Sequence, residues 1–86
     1  AKVARNAEEI EIDGHRVLQA NTSVLQSEVA NVLARGRPFG VVWFQKNGSK
    51  IYSLRSISPK GIDVSQIARK FGGGGHRHAA GYKVLS

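Results

Sequence analysis

Polar and apolar residues alternate through Glu8-Glu9-Ile10-Glu11-Ile12, the period of a half-buried strand. Asp13-Gly14 follows as a turn signal, and His15 to Gln19 around Val17 and Leu18 reads as a second short strand, so this segment predicts a hairpin. Ser23 with Gln26 three residues later has the form of a capping box opening a helix. Leu25, Val29, Val32 and Leu33 then recur at i, i+4, i+7 and i+8, one apolar helical face. Arg35-Gly36 supplies a basic last turn and a C′ glycine, and Pro38 stops the helix from continuing.

The next pattern is different. Phe39-Gly40-Val41-Val42-Trp43-Phe44 is almost continuously apolar, as in a strand covered on both faces. Asn47-Gly48 is a strong signal for a two-residue hairpin turn. Counting outward from it opposes Trp43 to Tyr52, Val42 to Ser53, Val41 to Leu54 and Gly40 to Arg55. Ser53 and Arg55 would then share one face, with Tyr52 and Leu54 on the other. Glycine opposite Arg55 predicts open space over the sheet for the guanidinium or its ligand.

Asp63 with Gln66 repeats the capping pattern, and Val64, Ile67, Ala68 and Phe71 form a second helical face. Arg69 and Lys70 occupy its last turn, where dipole pairing alone accounts for them, and Gly72 is a natural stop. His76 to Ala80 reads as a short helix after the glycines, with its N-terminus adjoining them, and Tyr82 to Leu85 as a closing strand. The order ββαββα-loop-β predicts an α/β (α+β) domain. It would have a mixed sheet of about five strands, two main helices, and a glycine-rich loop before the last strand.

That loop, Gly72-Gly73-Gly74-Gly75-His76-Arg77, carries the chemistry. Each glycine costs conformational entropy on folding, and what it provides is backbone free of side chains. Exposed N–H groups there can converge on an anion, with His76 and Arg77 adding donors and charge. A phosphate is the natural ligand. A flexible linker is the plainer alternative, but linkers are typically Gly/Ser mixtures between domains, and this run lies between two ordered patterns.

Charge points the same way. The 86 residues carry 13 Lys and Arg against 6 Asp and Glu, a net charge of +7. Four of the acids, Glu8, Glu9, Glu11 and Asp13, fall near the start, so the remainder is more basic still. Nucleic acid, nucleotides and anionic surfaces all suit such a domain. No stretch approaches the roughly 20 apolar residues of a membrane span, and no signal-peptide pattern opens the chain. The lack of cysteine fits a reducing cytoplasm. His76 and His78 without neighbouring carboxylates or cysteines make a poor metal site, so none is expected. His78 reads as exposed and His15 as a surface residue. Trp43 and Tyr52 can stack on bases or on each other, and cross-strand pairing favours the latter. Lys46, Lys50 and Lys60, near turns, read as solvated charge.

Gly72-Gly73-Gly74-Gly75-His76-x-x-Ala79-Ala80-Gly81, preceded by the Asp63–Phe71 helix and by Ser53-Leu54-Arg55-Ser56, resembles the DHH-associated domain, subfamily 1. This is the C-terminal domain of DHH-family phosphoesterases: RecJ-like exonucleases, nano-RNases and cyclic-dinucleotide phosphodiesterases. The resemblance is strongest from Phe39 to Tyr82. It implies that residues 1–86 form one part of a longer phosphoesterase. There the catalytic centre, with manganese or another divalent metal, belongs to a separate N-terminal domain carrying an Asp-His-His motif. It further implies that Arg55 grips a phosphate with Ser53 and Ser56 as hydroxyl donors, and that Gly73, Gly74, Gly75 and His76 supply donors to the same region. A planar forked donor suits phosphate, which favours Arg55 over the lysines.

No Asp-His-His sequence occurs here, so hydrolysis is not assigned to this chain by itself. The expected partners are a nucleotide phosphate or a short single-stranded DNA or RNA, and the N-terminal DHH domain. Two other classes stay open: a non-catalytic nucleic-acid-binding module, as in the related C-terminal domain of alanyl-tRNA synthetases, and a sensor of a small phosphorylated ligand.

Overall fold

Residues 7–57 and 61–85 are described in the computed structural model of the chain; Lys60 lies outside them. The elements run β1 (Glu8–Ile12), β2 (His15–Asn21), α1 (Gln26–Leu33), β3 (Gly40–Lys46), β4 (Ser49–Arg55), α2 (Val64–Lys70), β5 (Gly74–His76) and β6 (Ala79–Leu85). Six strands form one mixed sheet in the order β1-β2-β3-β4-β6-β5. Only β2 and β3 are parallel, joined through α1; the other neighbours are antiparallel.

The two type I′-like turns form where the sequence places them. Asp13 and Gly14 take φ of 51° and 82°, and Asn47 and Gly48 take 51° and 78°. The β3–β4 register follows: Trp43 opposes Tyr52, Val42 opposes Ser53, Val41 opposes Leu54 and Gly40 opposes Arg55. Val41 and Val42 are both fully buried, as a strand covered on both faces requires.

Each face of the sheet carries its own core. Under α1 lie Ala20, Val29, Ala30, Leu33 and Val42. Under α2 lie Val17, Phe39, Val41 and Leu54 with Val64, Ile67, Ala68, Ala80 and Tyr82. On the α2 side an aromatic row crosses the sheet. Trp43 and Tyr52 have ring centroids 6.3 Å apart, Tyr52 and Tyr82 4.9 Å, and Tyr82 and Phe71 4.8 Å. Burial, and secondarily the neighbouring Tyr52, pushes the Tyr82 phenol up to about 12.

Several expectations are corrected. The Ser23–Gln26 capping box does not form. Thr22 takes the turn instead, its hydroxyl donating to the Val24 carbonyl at 3.0 Å and accepting from Val24 N at 3.2 Å. The Gln26 amide donates back to the Thr22 carbonyl at 3.2 Å, and the helix starts after Leu25 at φ 50° with no side-chain cap. Its buried face is Val29, Ala30 and Leu33, leaving Leu25 and Val32 exposed. In α2 the Asp63 cap does form, but its carboxylate accepts from Ser65, from the hydroxyl at 2.5 Å and from the backbone N at 3.0 Å, and these bonds, the hydroxyl's foremost, hold Asp63 below its usual range.

The short helix expected over His76 to Ala80 is instead the β5–β6 hairpin. Its two-residue turn, Arg77-His78, lets Gly74 to His76 pair with β6, so the sheet has six strands. Finally, the space expected over Gly40 is filled by the α1 backbone. A Cβ there would lie 2.2 Å from the Ala30 carbonyl oxygen and 2.7 Å from Ala34 N. His15 is half-buried, edge-on to Phe39 at 5.9 Å.

Two predictions follow from this packing. Gly40→Ala has no flexible neighbour to displace, so it should cost on the order of 1–3 kcal/mol or more, read from the urea denaturation midpoint. Glu9 accepts from Arg37 and Arg16 at 2.7 Å each, and these guanidiniums hold its carboxyl down at about 2. A depressed carboxylate stabilises the fold above its ordinary range near 4.5, and that contribution fades as pH falls toward 2. Glu9→Gln should therefore flatten the acid limb of the stability profile between those values.

Candidate functional site

Two register rows place the chemistry. One runs His76, Ala79, Arg55, Gly40 across β5, β6, β4 and β3; the next runs Gly74, Gly81, Ser53, Val42. Directly opposed residues share a face of a sheet, and Val42 belongs to the core under α1, so both rows face the α1 side. α1 packs on β2, β3 and β4 but not on β5 or β6, while α2 covers β4, β5 and β6 from behind. The result is an open ledge beside α1. Its floor is Gly74, Gly81 and Ala79, Arg55 and Ser53 stand along one side, and His76 along the other. By two inter-strand spacings, Arg55 and His76 are roughly 10 Å apart at Cα.

Most of the glycines on and around the ledge answer to the fold. Gly72 ends α2 at φ 88°. A Cβ at Gly73 would sit 2.0 Å from the Gly81 carbonyl oxygen, and Gly75, at φ 146°, lies against Ala80. Gly81 is pressed on the Tyr52 carbonyl. Gly74 is the exception: its φ is ordinary, and a Cβ there would meet nothing within 4 Å. Its missing side chain leaves the floor of the ledge bare.

Arg55 is half-buried and tethered. Its guanidinium donates to the Leu54 carbonyl at 3.0 Å and to the Ser27 hydroxyl at 3.4 Å. The ion pairs among the described residues use Arg16, Arg37 and Lys70, so the Arg55 charge is not neutralised by a carboxylate among them. Ser27, in the first turn of α1, was not singled out from sequence. It reaches Arg55 from 28 residues away only because Gly40 lets α1 lie close. His76 is exposed and makes no side-chain hydrogen bond among the described residues.

Ser56 stands apart from this group. It is buried, with its hydroxyl 2.9 Å from His78 Nδ1 and 3.4 Å from the Arg77 carbonyl. His78, expected to be exposed, is half-buried for the same reason. Two backbone bonds, Ser56 N to the His78 carbonyl and Val64 N to the Arg77 carbonyl, also tie the β5–β6 turn to the ends of β4 and α2. Among the described residues no three His, Cys, Asp or Glu gather as a metal cluster would require.

This geometry meets a match along most of the sequence: the pattern of the DHHA1 domain covers residues 15–85. The chain belongs to the DHHA1 domain family. Its relatives include oligoribonuclease NrnB of Bacillus subtilis, 42% identical over 59 residues. Another is an uncharacterized protein of Acanthamoeba polyphaga mimivirus, 43% identical over 70 residues. These alignments cover 67% and 76% of this chain but only 14% and 16% of those proteins, so it spans about a seventh of their length. An uncharacterized Helicobacter pylori protein of known crystal structure shares the fold at a TM-score of 0.64. It is 24% identical, over 88% of this chain and 22% of that one. This DHHA1 domain is thus a small α+β unit related to part of a nuclease, and no helix among its described residues is long and apolar enough to cross a membrane.

The DHHA1 ledge makes a prediction about Gly74. With space for a methyl group and no φ penalty, Gly74→Ala should leave stability within about 0.5 kcal/mol of the parent by chemical denaturation. Gly75→Ala, forced to φ 146° against Ala80, should destabilise by several times that amount.

Proposed function

We propose that this chain is the substrate-binding domain of a DHH-family phosphoesterase, holding a phosphate of a nucleotide or short single-stranded nucleic acid on the ledge. The supporting observation is the register that sets Arg55, Ser53, Gly74 and His76 on one uncovered face. A tethered guanidinium without a carboxylate partner is held ready for an anion, and less of its freedom is lost on binding than for a loose lysine. Ser53 adds a hydroxyl, and bare Gly74 admits the phosphate close to the backbone. Gly73 and Gly75 shape that backbone, while Ser56 acts from behind, through His78, by holding the β5–β6 turn. The relationship to an oligoribonuclease supports a short oligonucleotide as substrate.

Hydrolysis in this reading occurs at a metal centre in a separate DHH domain. The manganese implied by the family has no fitting ligand set among the described residues, and no step of the proposal runs through it.

The test is binding of a 5′-phosphorylated dinucleotide, followed by calorimetry. Arg55→Ala should lose on the order of 1.5–3 kcal/mol, the value of a hydrogen bond to a charged group, and His76→Ala somewhat less. Because both contacts address one phosphate, the double variant should lose less than the sum. Strictly additive losses would place the two residues in separate roles. Binding that ignores both would leave the nucleic-acid-binding-module reading, with its contacts elsewhere.

A further inference from the structure

The sheet's other face carries an uncovered cleft that the ledge does not use. Its volume is about 290 Å³, bounded by Ile10 and Ile12 of β1, Tyr52, Tyr82 and Val84 of the central strands, and Phe71 just past α2. Ring stacking in the aromatic row accounts for Tyr52 and Tyr82 as core residues, but Phe71 is 44% and Val84 42% exposed. A row that served packing alone would be roofed by α2. Instead α2 ends one residue short, and the Lys70–Asp13 ion pair at 2.8 Å ties its last turn to the β1–β2 turn.

The polar groups of the cleft have a consistent sense. Gln19 lines it and donates its amide to Glu8 at 2.8 Å, so its carbonyl oxygen is left as an acceptor. Glu11 points its side chain to the opposite face, since it alternates with Ile10 and Ile12 and pairs with Arg16. Lys50, beside the lining residues, is the register partner of Val84, with its Nζ 5.1 Å from the Trp43 ring centroid and no ion pair among the described residues. A fitting ligand is therefore flat and apolar, presents a hydrogen-bond donor toward Gln19 of β2, and carries negative charge toward Lys50. A nucleobase with an exocyclic amino group, attached to its phosphate, has these three properties.

We propose that the Tyr52–Tyr82–Phe71 cleft is a second nucleotide site, which takes an amino-bearing base of a single strand on the face opposite the ledge, with Lys50 on that nucleotide's phosphate. The two sites lie on opposite sides of one sheet, so a single mononucleotide cannot fill both, and the cleft engages a different nucleotide from the one on the ledge. The site stands on its own residues and does not depend on the phosphate reading of Arg55 and His76.

The test titrates the 86-residue chain with adenosine, inosine, adenosine 5′-monophosphate and ribose 5-phosphate, following two-dimensional NMR shifts. Adenosine should move the signals of Phe71, Tyr82 and Val84 saturably, and inosine, lacking the amino group, should bind several-fold more weakly. Phe71→Ala should weaken adenosine at least tenfold, and Val84→Asp, placing a charge in the mouth, should do the same. Both positions are exposed, and unshifted signals of Val41 and Leu54 would show that the variants stay folded. Lys50→Ala should remove the advantage of the monophosphate over adenosine, while Arg55→Ala leaves adenosine binding unchanged. Ribose 5-phosphate should leave the cleft signals still. An absent or unsaturable adenosine response, one indifferent to Phe71→Ala and Val84→Asp, or one abolished by Arg55→Ala would overturn the proposal.

Discussion

Everything about this domain depends on the register of β4. That strand pairs along its whole length with β3 on one side and β6 on the other, and side chains alternate faces along a strand. A slip of one residue would send Ser53 and Arg55 to the α2 side and turn Leu54 and Tyr52 outward. The register is pinned at one end by the left-handed Asn47-Gly48 turn and along its length by the buried Val41–Leu54 pair. Core packing and the ledge are thus set by the same alignment.

The two helices then divide the sheet unequally. Gly40 permits α1 to settle on the β2–β4 half, Gly73 and Gly75 let the chain entering and forming β5 lie close on β6, and Gly81 lets β6 lie close on β4. Neither helix covers the front of β5 and β6, so the small residues there remain a surface rather than a core. On the reverse face, the early end of α2 leaves Phe71 half out of the aromatic row. An exposed floor of glycine and an exposed edge of rings are both products of where the helices stop.

Much of this was legible along the chain. Both hairpin turns, the complete β3–β4 pairing and the Asp63 cap follow from local rules, because turn chemistry and alternation act over a few residues. The motif around Gly72 to Gly81 identified the family for a similar reason, being a compact local pattern. The errors share a cause. Ser23 and Gln26 satisfied a capping rule, yet Thr22 offered a competing turn. His76 to Ala80 had no strand signal of its own and became a strand pair because the edge of β6 was available to it. Gly40 looked like room for a ligand and proved to be room for a helix.

The linear sequence alone therefore determined the elements bounded by turns and caps, the face assignment of Arg55 and Ser53, and the family. Tertiary structure decided which glycines serve the fold and which one, Gly74, is left free. It also decided that Ser27 meets Arg55 and that Ser56 turns inward to His78. The reason is range. Turns, caps and alternation are written in neighbouring residues, whereas the purpose of a missing side chain depends on what a distant segment brings to the space it leaves.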